Sequence, residues 1–180
     1  MIEKGLKKGL RTCIIQVLRQ IRICGADNMF RKAIFNDCDA VYNLICDMEK
    51  TELPKGRFSE IFNEQLSDNH YYCLICEIDD RIVGVLNLRF ENQLHHAAKI
   101  AEIMEFVVDE NYRNKEIGRK IFSRACDIAK ENGCIQIEVA CNQLRIDTHR
   151  FYYREDMNNF HYKFSKPLEG ETYVDNKLGR

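Results

Sequence analysis

Three stretches of this chain hold residue types whose spacing could do chemistry. The first is "AEIMEFVV", an apolar run interrupted by Glu102 and Glu105. A carboxylate in such a run is costly to bury unless it is paired or opens onto a cavity. The two therefore read as proton acceptors, or as contacts for a cationic or metal-bound group. On a regular strand Glu102 shares a face with Met104, Phe106 and Val108, and Glu105 shares the other with Ile103 and Val107. Both can reach one cleft only across a bulge. The second stretch is "RNKEIGRKIF", a polar turn that opens an amphipathic helix. Helix N-termini carry N–H groups without intrahelical partners and a partial positive charge, and amides of the preceding turn can add a concave nest for an anion. Arg113, Lys115, Arg119 and Lys120 add positive charge around that entrance. Neither GxxxxGK[ST] nor GxGxxG is present, which excludes the two common nucleotide loops. The third set is His95 and His96 in "LHH", with Arg145, His149, Arg150, Tyr152 and Tyr153 in "LRIDTHRFYYRE". Paired histidines bind a divalent metal or an anionic oxygen, and arginine suits a dianion. His96 with Glu105 is a candidate metal pair. A phenol can donate a proton to a departing anion.

These groups need elements to hold them. "MFRKAIF" predicts a strand and "DCDAVYNLICDME" a helix with Asp37 as N-cap. "GRFSEIFNEQL" predicts a second helix, and "HYYCLICEIDDRIVGVLNLRF" a hairpin turning at Asp79-Asp80. "KIAEIMEFVV" is a strand carrying both glutamates, followed by a helix from about 116 to 132 whose core stripe is Ile117, Ile121, Ala125 and Ile128. "CIQIEVA" predicts a strand, "DTHRFYYRE" a short helix and "FHYKFSKPL" a final strand. The order predicts an α/β domain of the α+β type, with helices on a mixed, mostly antiparallel sheet.

At 180 residues the chain supports one well-buried core, and a net charge of -1 argues against nucleic acid as partner. Nine cysteines make an odd count; the Cys73–Cys76 pair would point to opposite faces of a strand, and no second such pair completes a zinc site. Buried thiols in a reducing cytoplasm are the expectation. Residues 1–28 form a basic amphipathic extension with neither a secretory cleavage site nor the length of a membrane span. Met29 is a second candidate start. Residues 29–168 are the expected domain and 169–180 a polar tail.

The run Arg113, Asn114, Lys115, Glu116, Ile117, Gly118 resembles the acyl-CoA-binding motif of the GNAT acetyltransferases: Arg or Gln, two residues, Gly, any residue, Gly or Ala. Glu116 stands at the first glycine. The resemblance implies the GNAT fold and acetyl-CoA, with its diphosphate on the amides from Arg113 to Lys120. It also implies that the backbone of Phe106, Val107 and Val108 pairs with the pantetheine arm. Over residues from about 39 to 168 the chain looks like a narrower group, the aminoalkylphosphonate N-acetyltransferases, in "DAVYNLIC", "LHH", "AEIMEFVV", "RNKEIG", "CNQLRIDTHRFYYRE" and "HYKFSKPL". By this resemblance Glu102 is the catalytic base, acting directly or through water, and Glu105 a substrate or metal contact. Tyr152 lies near the thioester sulfur, Asn142 bonds the cofactor or a water, and the Val107 and Val108 amides face the oxyanion. His95, His96, Arg145 and His149 are the substrate contacts, and a divalent metal is the second cofactor. One departure is Asp156-Met157, which replaces the usual glycine and aromatic after the last helix.

The leading reading is an acetyl-CoA-dependent N-acetyltransferase for a small primary amine with an anionic group, an aminoalkylphosphonate, working by direct attack in a ternary complex. A polyamine, amino acid or antibiotic as the amine, or a non-catalytic acyl-CoA-binding module, are the alternatives. A homodimer is the expected assembly. Glycine is required only where φ is positive or a Cβ strikes the ligand, and Glu suits a helix start. Glu116 is therefore expected at ordinary helical φ/ψ with its carboxylate turned away from the anion.

Overall fold

The computed structural model describes residues 29–166 and 168, so the extension 1–28 and the tail 169–180 lie outside the described residues. The chain divides after Val139 into two compact units. In the first, β1 (Phe30–Lys32), β2 (Tyr71–Ile78), β3 (Arg81–Gln93), β4 (Ala98–Val108) and β5 (Gln136–Val139) form one sheet in that spatial order. All neighbours are antiparallel except β4 and β5. That parallel pair needs a crossover, and α3 (Ile117–Glu131) supplies it, as the strand-to-helix junction in the sequence predicted. The other helices are α1 (Cys38–Glu49) and α2 (Lys55–Ser67).

Both faces of the sheet are covered. Val41, Leu44, Ile45 and Phe62 from α1 and α2 pack with Cys73, Ile75, Val85 and Val107 on one face. On the other, α3 buries Ile117, Ile121, Ala125 and Ile128, the stripe read from its period, together with Phe122 and Ala129. Gly84 sets how closely α3 approaches: a Cβ there would lie 2.6 Å from Ile121 Cδ1. Cys73 and Cys76 are buried on opposite faces, and burial pushes their thiols up to about 12 and about 11.

Local chemistry explains the turns. Asp79 and Asp80 take φ of 50° and 58°, the pair of positive values that a two-residue hairpin turn requires. Asp37 precedes α1 as expected but does not cap it. Its carboxylate accepts from the Ile34 amide at 2.8 Å and from the two Nη atoms of Arg31 at 2.7 and 3.0 Å. Burial alone would raise this carboxyl; the Arg31 and Ile34 bonds outweigh it and hold the group below the usual range.

The second unit contains α4 (Ile146–Arg154). Its end needs no glycine. Asp156 takes the left-handed position at φ 60°, Met157 N–H donates to Tyr152 O at 3.1 Å, and Asp156 N–H to Tyr153 O at 3.3 Å, the two bonds of a Schellman close. The predicted final strand is not formed: residues 157–166 have no regular structure, and Phe160, Tyr162 and Phe164 are exposed. Alternation alone does not make a strand, because the backbone also needs a neighbour for its ladder.

Candidate active site

The register of β3 against β4 runs from Gly84–Val108 to Asn87–Glu105 and resumes at Leu88–Ile103. Met104 is the extra residue of a β-bulge. One inserted residue reverses the alternation, so Glu105 opposite Asn87 and Glu102 opposite Arg89 come to the same face of the sheet. The condition set by strand periodicity is thus met. β5 pairs with β4 only from Ile100 to Ile103, whereas β3 accompanies it to Val108. Past the bulge β5 no longer pairs with β4.

The two glutamates have unlike surroundings. Glu102 Oε2 lies 2.5 Å from Arg89 Nη2, which also reaches Glu91 Oε2 at 3.2 Å. Glu105 Oε2 accepts from Asn87 Nδ2 at 2.9 Å, and the same nitrogen donates to Gln65 Oε1 at 2.8 Å. Burial raises the Glu105 carboxyl above its ordinary value; the Asn87 bond opposes this, and the charge of Glu49 adds to it. Sequence reasoning passed over Gln65, Asn87 and Arg89. A signal for two of them existed, since Asn87 and Arg89 alternate as the polar residues of "IVGVLNLRF", a central strand otherwise apolar.

Beyond Val108 the chain builds a nest. Arg113 Nε returns to donate to Val108 O at 3.0 Å, closing the turn on the strand end. Asn114 has φ 59° and Glu116 φ 62° with ψ 4°, while Lys115 between them is not left-handed. Such alternation of sign turns successive N–H groups toward one concavity. The expectation of helical φ/ψ for Glu116 is therefore overturned: this is a position of glycine type, and the shape of the nest demands it. The Glu116 carboxylate is exposed, 3.5 Å from Arg119 Nη1. The first bond of α3 is Lys120 N–H to Glu116 O at 3.1 Å, so the amides of Ile117, Gly118 and Arg119 precede the helical ladder. Lys115 Nζ stands 5.3 Å from the Tyr112 ring centre.

His95 and His96 occupy the β3–β4 connection, at the other end of β4 from the nest. Their rings lie 4.2 Å apart, and His96 Nε2 is 3.6 Å from Glu138 Oε1. The tentative metal pair of His96 and Glu105 is not assembled. The strand between Ala98 and Glu105 is roughly 20 Å long at its usual rise, and each side chain has a different partner. Among the described residues no group of three or more His, Cys, Asp or Glu side chains is placed to hold a metal ion.

In the second unit Tyr152 is buried and Tyr153 is 56% exposed. Burial, with a smaller contribution from Cys141, raises the Tyr152 phenol, which stays protonated through the neutral range. Asn142 Oδ1 accepts from Leu144 N–H at 2.8 Å. The Asn142 carbonyl accepts from Arg145 N–H at 3.0 Å and lies 2.9 Å from His149 Nε2. Arg150 pairs with Asp147 at 3.0 Å.

A parallel pair that parts at a bulge, two carboxylates on one face and a turn of nest type where the crossover helix begins match what the sequence resemblance implied. The comparisons with known proteins agree. The model of the acetyltransferase (GNAT) family matches residues 38–156. The chain is 36% identical over 138 residues to the aminoalkylphosphonate N-acetyltransferase of Salmonella typhimurium (strain LT2), covering 77% of this chain and 90% of that one. It is 27% identical over 128 residues to glucosamine 6-phosphate N-acetyltransferase 1 of Dictyostelium discoideum, covering 68% and 80%. Among solved structures, a transcriptional regulator from Bacillus halodurans C-125 superposes with a TM-score of 0.72 over 77% of this chain and 98% of that one; at 22% identity it speaks to the fold alone. This chain belongs to the GNAT acetyltransferase family and is an N-acetyltransferase.

Proposed function

We propose that the enzyme moves an acetyl group from acetyl-CoA to a small primary amine carrying a phosphorus oxyanion, an aminoalkylphosphonate, by direct attack in a ternary complex. The observation that carries this reading is the Met104 bulge, which sets two carboxylates of unlike environment on one face where β5 leaves β4. GNAT acetyltransferases use acetyl-CoA, and the residues here fit it. The amides from Asn114 to Arg119 suit the diphosphate, with Arg113, Lys115, Arg119 and Lys120 adding charge. The backbone of Phe106 to Val108 suits the pantetheine arm. When bound, acetyl-CoA supplies the acetyl thioester.

The chain's own groups do the rest. Sequence resemblance gave the base to Glu102; the two environments support giving it to Glu105. A carboxyl raised by burial is the better proton acceptor near neutral pH. Glu105 takes a proton from the substrate ammonium: an N–H bond breaks, an O–H bond forms, and the nitrogen lone pair is released. Glu102, fixed by Arg89, orients the ammonium. Asp109 N–H donates to Val83 O, so by alternation Val107 N–H points to β3 and Val108 N–H points away from it, toward the developing oxyanion. The resemblance gives the proton for the departing sulfur to Tyr152 and a cofactor bond to Asn142. For the oxyanion of the substrate the resemblance implies His95, His96, Arg145 and His149, of which the arginine carries a fixed positive charge. Burial raises the thiols of Cys73, Cys76, Cys134 and Cys141, which supports direct attack over an acetyl-cysteine intermediate. Both named relatives act on amines whose names carry a phosphonate or a phosphate, which supports the oxyanion.

One observation favours a second reading. By strand register Glu91, Glu102, Glu105 and Glu138 share a face with Arg89, a balance that suits a polyamine. Turnover of acetyl-CoA over aminoalkylphosphonates, amino sugar phosphates and polyamines decides between them. An aminoalkylphosphonate should show the highest kcat/KM. Acetylation of a polyamine alone would end the phosphonate assignment.

A further inference from the structure

Asn87 is 7% exposed, in the centre of the sheet, and its two amide atoms are treated unequally. Nδ2 donates to both Glu105 Oε2 and Gln65 Oε1, while the buried Oδ1 has no hydrogen-bond partner among the described residues. A buried polar atom left unmatched calls for an explanation. We propose that Gln65 and Asn87 form a relay behind Glu105 that lets this carboxyl change protonation state without losing a hydrogen bond, both acting as positioning residues. The inference rests on the reading of Glu105 as the proton acceptor.

The oxygen and nitrogen of an amide exchange places on a half-turn of its last torsion. With Glu105 ionised, Asn87 donates to it and to Gln65, the arrangement in the structure. Once Glu105 holds a proton on Oε2, its new O–H faces the Asn87 N–H, donor against donor. A half-turn of Asn87 brings Oδ1 round to accept that O–H, and a half-turn of Gln65 brings Nε2 round to donate to the same oxygen. Both bonds survive with their directions reversed. The unmatched atom becomes Nδ2 where it had been Oδ1. The ionised state leaves one acceptor, Asn87 Oδ1, unmatched, and the protonated state leaves the two N–H groups of Nδ2 unmatched, so Asn87 favours the carboxylate while still bonding the acid. A side chain at 87 with only donors, only acceptors or neither would hold Glu105 in one state.

The groups bearing on Glu105 come from every element around it: Glu49 of α1, Gln65 of α2, Cys73 of β2 and Asn87 of β3. The Cys73 thiol, pushed up to about 12, stays neutral through the range that matters. On its own strand Glu102 is held by Arg89.

The test is a pH titration of the Glu105 side-chain carboxyl by carbon-13 NMR in the folded protein, beside the pH profile of kcat/KM. Asn87→Leu removes the bond that favours the carboxylate, so the midpoint should move up by about one unit. Gln65→Leu should move it up by less, because Asn87 keeps its bond but loses the partner that orients it. The double variant should match Asn87→Leu alone, since Gln65 acts only through Asn87. An unmoved midpoint in Asn87→Leu, or shifts that add in the double variant, overturns the relay. Should Asn87→Leu not fold, Gln65→Leu on the half-buried face of α2 decides by the same midpoint, and no shift there overturns it. Failure of the underlying reading looks different: Glu105→Gln would then keep the acidic limb of the kcat/KM profile. Loss of that limb in Glu105→Gln with an unmoved midpoint in Asn87→Leu sinks the relay alone.

Discussion

The bulge at Met104 and the turn from Arg113 to Ile117 both depart from regular backbone, on the strand and just beyond it, and they make opposite demands on the sequence. At the bulge the backbone deviation only re-aims side chains, and the proposed mechanism requires those to be Glu102 and Glu105. In the turn the proposed function makes the deviation itself the functional feature, because the nest is made of amides that every residue except proline carries. A glutamate can therefore stand at a position of glycine type in the turn, at a cost in strain, while the proposed mechanism allows neither glutamate of the strand a substitute. Chemistry by side chain constrains identity; chemistry by backbone constrains φ and ψ.

The sharpest way to break this comparison is at Glu105. Glu105→Gln keeps the shape and removes the proton acceptor, so kcat should fall by roughly 10²–10³-fold with folding intact. Glu102→Gln should fall within about tenfold and act mainly on KM, as loss of an orienting charge would. Steady-state kinetics on both variants checks this; the reverse order returns the base role to Glu102. Stability gives a second, independent reading of Glu105. Its folded pKa is raised above the ordinary 4.5. The group is thus most favourable to the fold below that value, and the contribution is lost as pH rises through the folded pKa. Glu105→Gln should melt at or above the parent temperature at pH 7, and the two should converge as pH falls toward about 4. A variant less stable than the parent at pH 7 would contradict the burial argument.

Arg89 sharpens the same side of the comparison at smaller scale. Arg89→Leu strips Glu102 of its ion-pair partner, and with the Arg89 side chain 33% exposed the loss is discounted for solvent. About 1–2 kcal/mol of stability should go, read as a lower midpoint in urea, together with a raised KM for the amine. Unchanged values in both would show that Arg89 does not hold Glu102 in solution.

How much of this was legible in the sequence follows the same division. The stripe of α3, the Asp79-Asp80 turn and the crossover could be read because side-chain pattern and backbone agree there. The bulge could not, since nothing in "AEIMEFVV" marks Met104 as the inserted residue; periodicity alone put the two glutamates on opposite faces. The relay partner Gln65 was hidden because only tertiary packing brings α2 over β3. Asn87 and Arg89 were visible as polar interruptions of a central strand, yet their partners were not. The last strand failed for a related reason: "FHYKFSKPL" has the alternation but not the neighbouring ladder. Asp156 shows the converse, a Schellman close formed where the usual glycine is missing.

The smallest expected effect probes the turn itself. Glu116 at φ 62° carries left-handed strain of about 1 kcal/mol. Glycine adopts that conformation without strain but brings a more flexible unfolded chain, which returns part of the gain. The pairing of Glu116 with Arg119 at 3.5 Å is mostly exposed and adds little. Glu116→Gly should therefore stabilise the fold by about 0.5 kcal/mol and leave coenzyme A affinity within about twofold, because the amides that bind it keep their places. Glu116→Val should do the opposite on both counts, since a β-branched side chain resists positive φ and would pull the nest out of shape. Thermal melts and calorimetric titration with coenzyme A measure the two effects side by side. Should Glu116→Gly weaken coenzyme A binding tenfold or more, the carboxylate rather than the backbone is what the site uses, and the turn would answer to side-chain identity just as the bulge does.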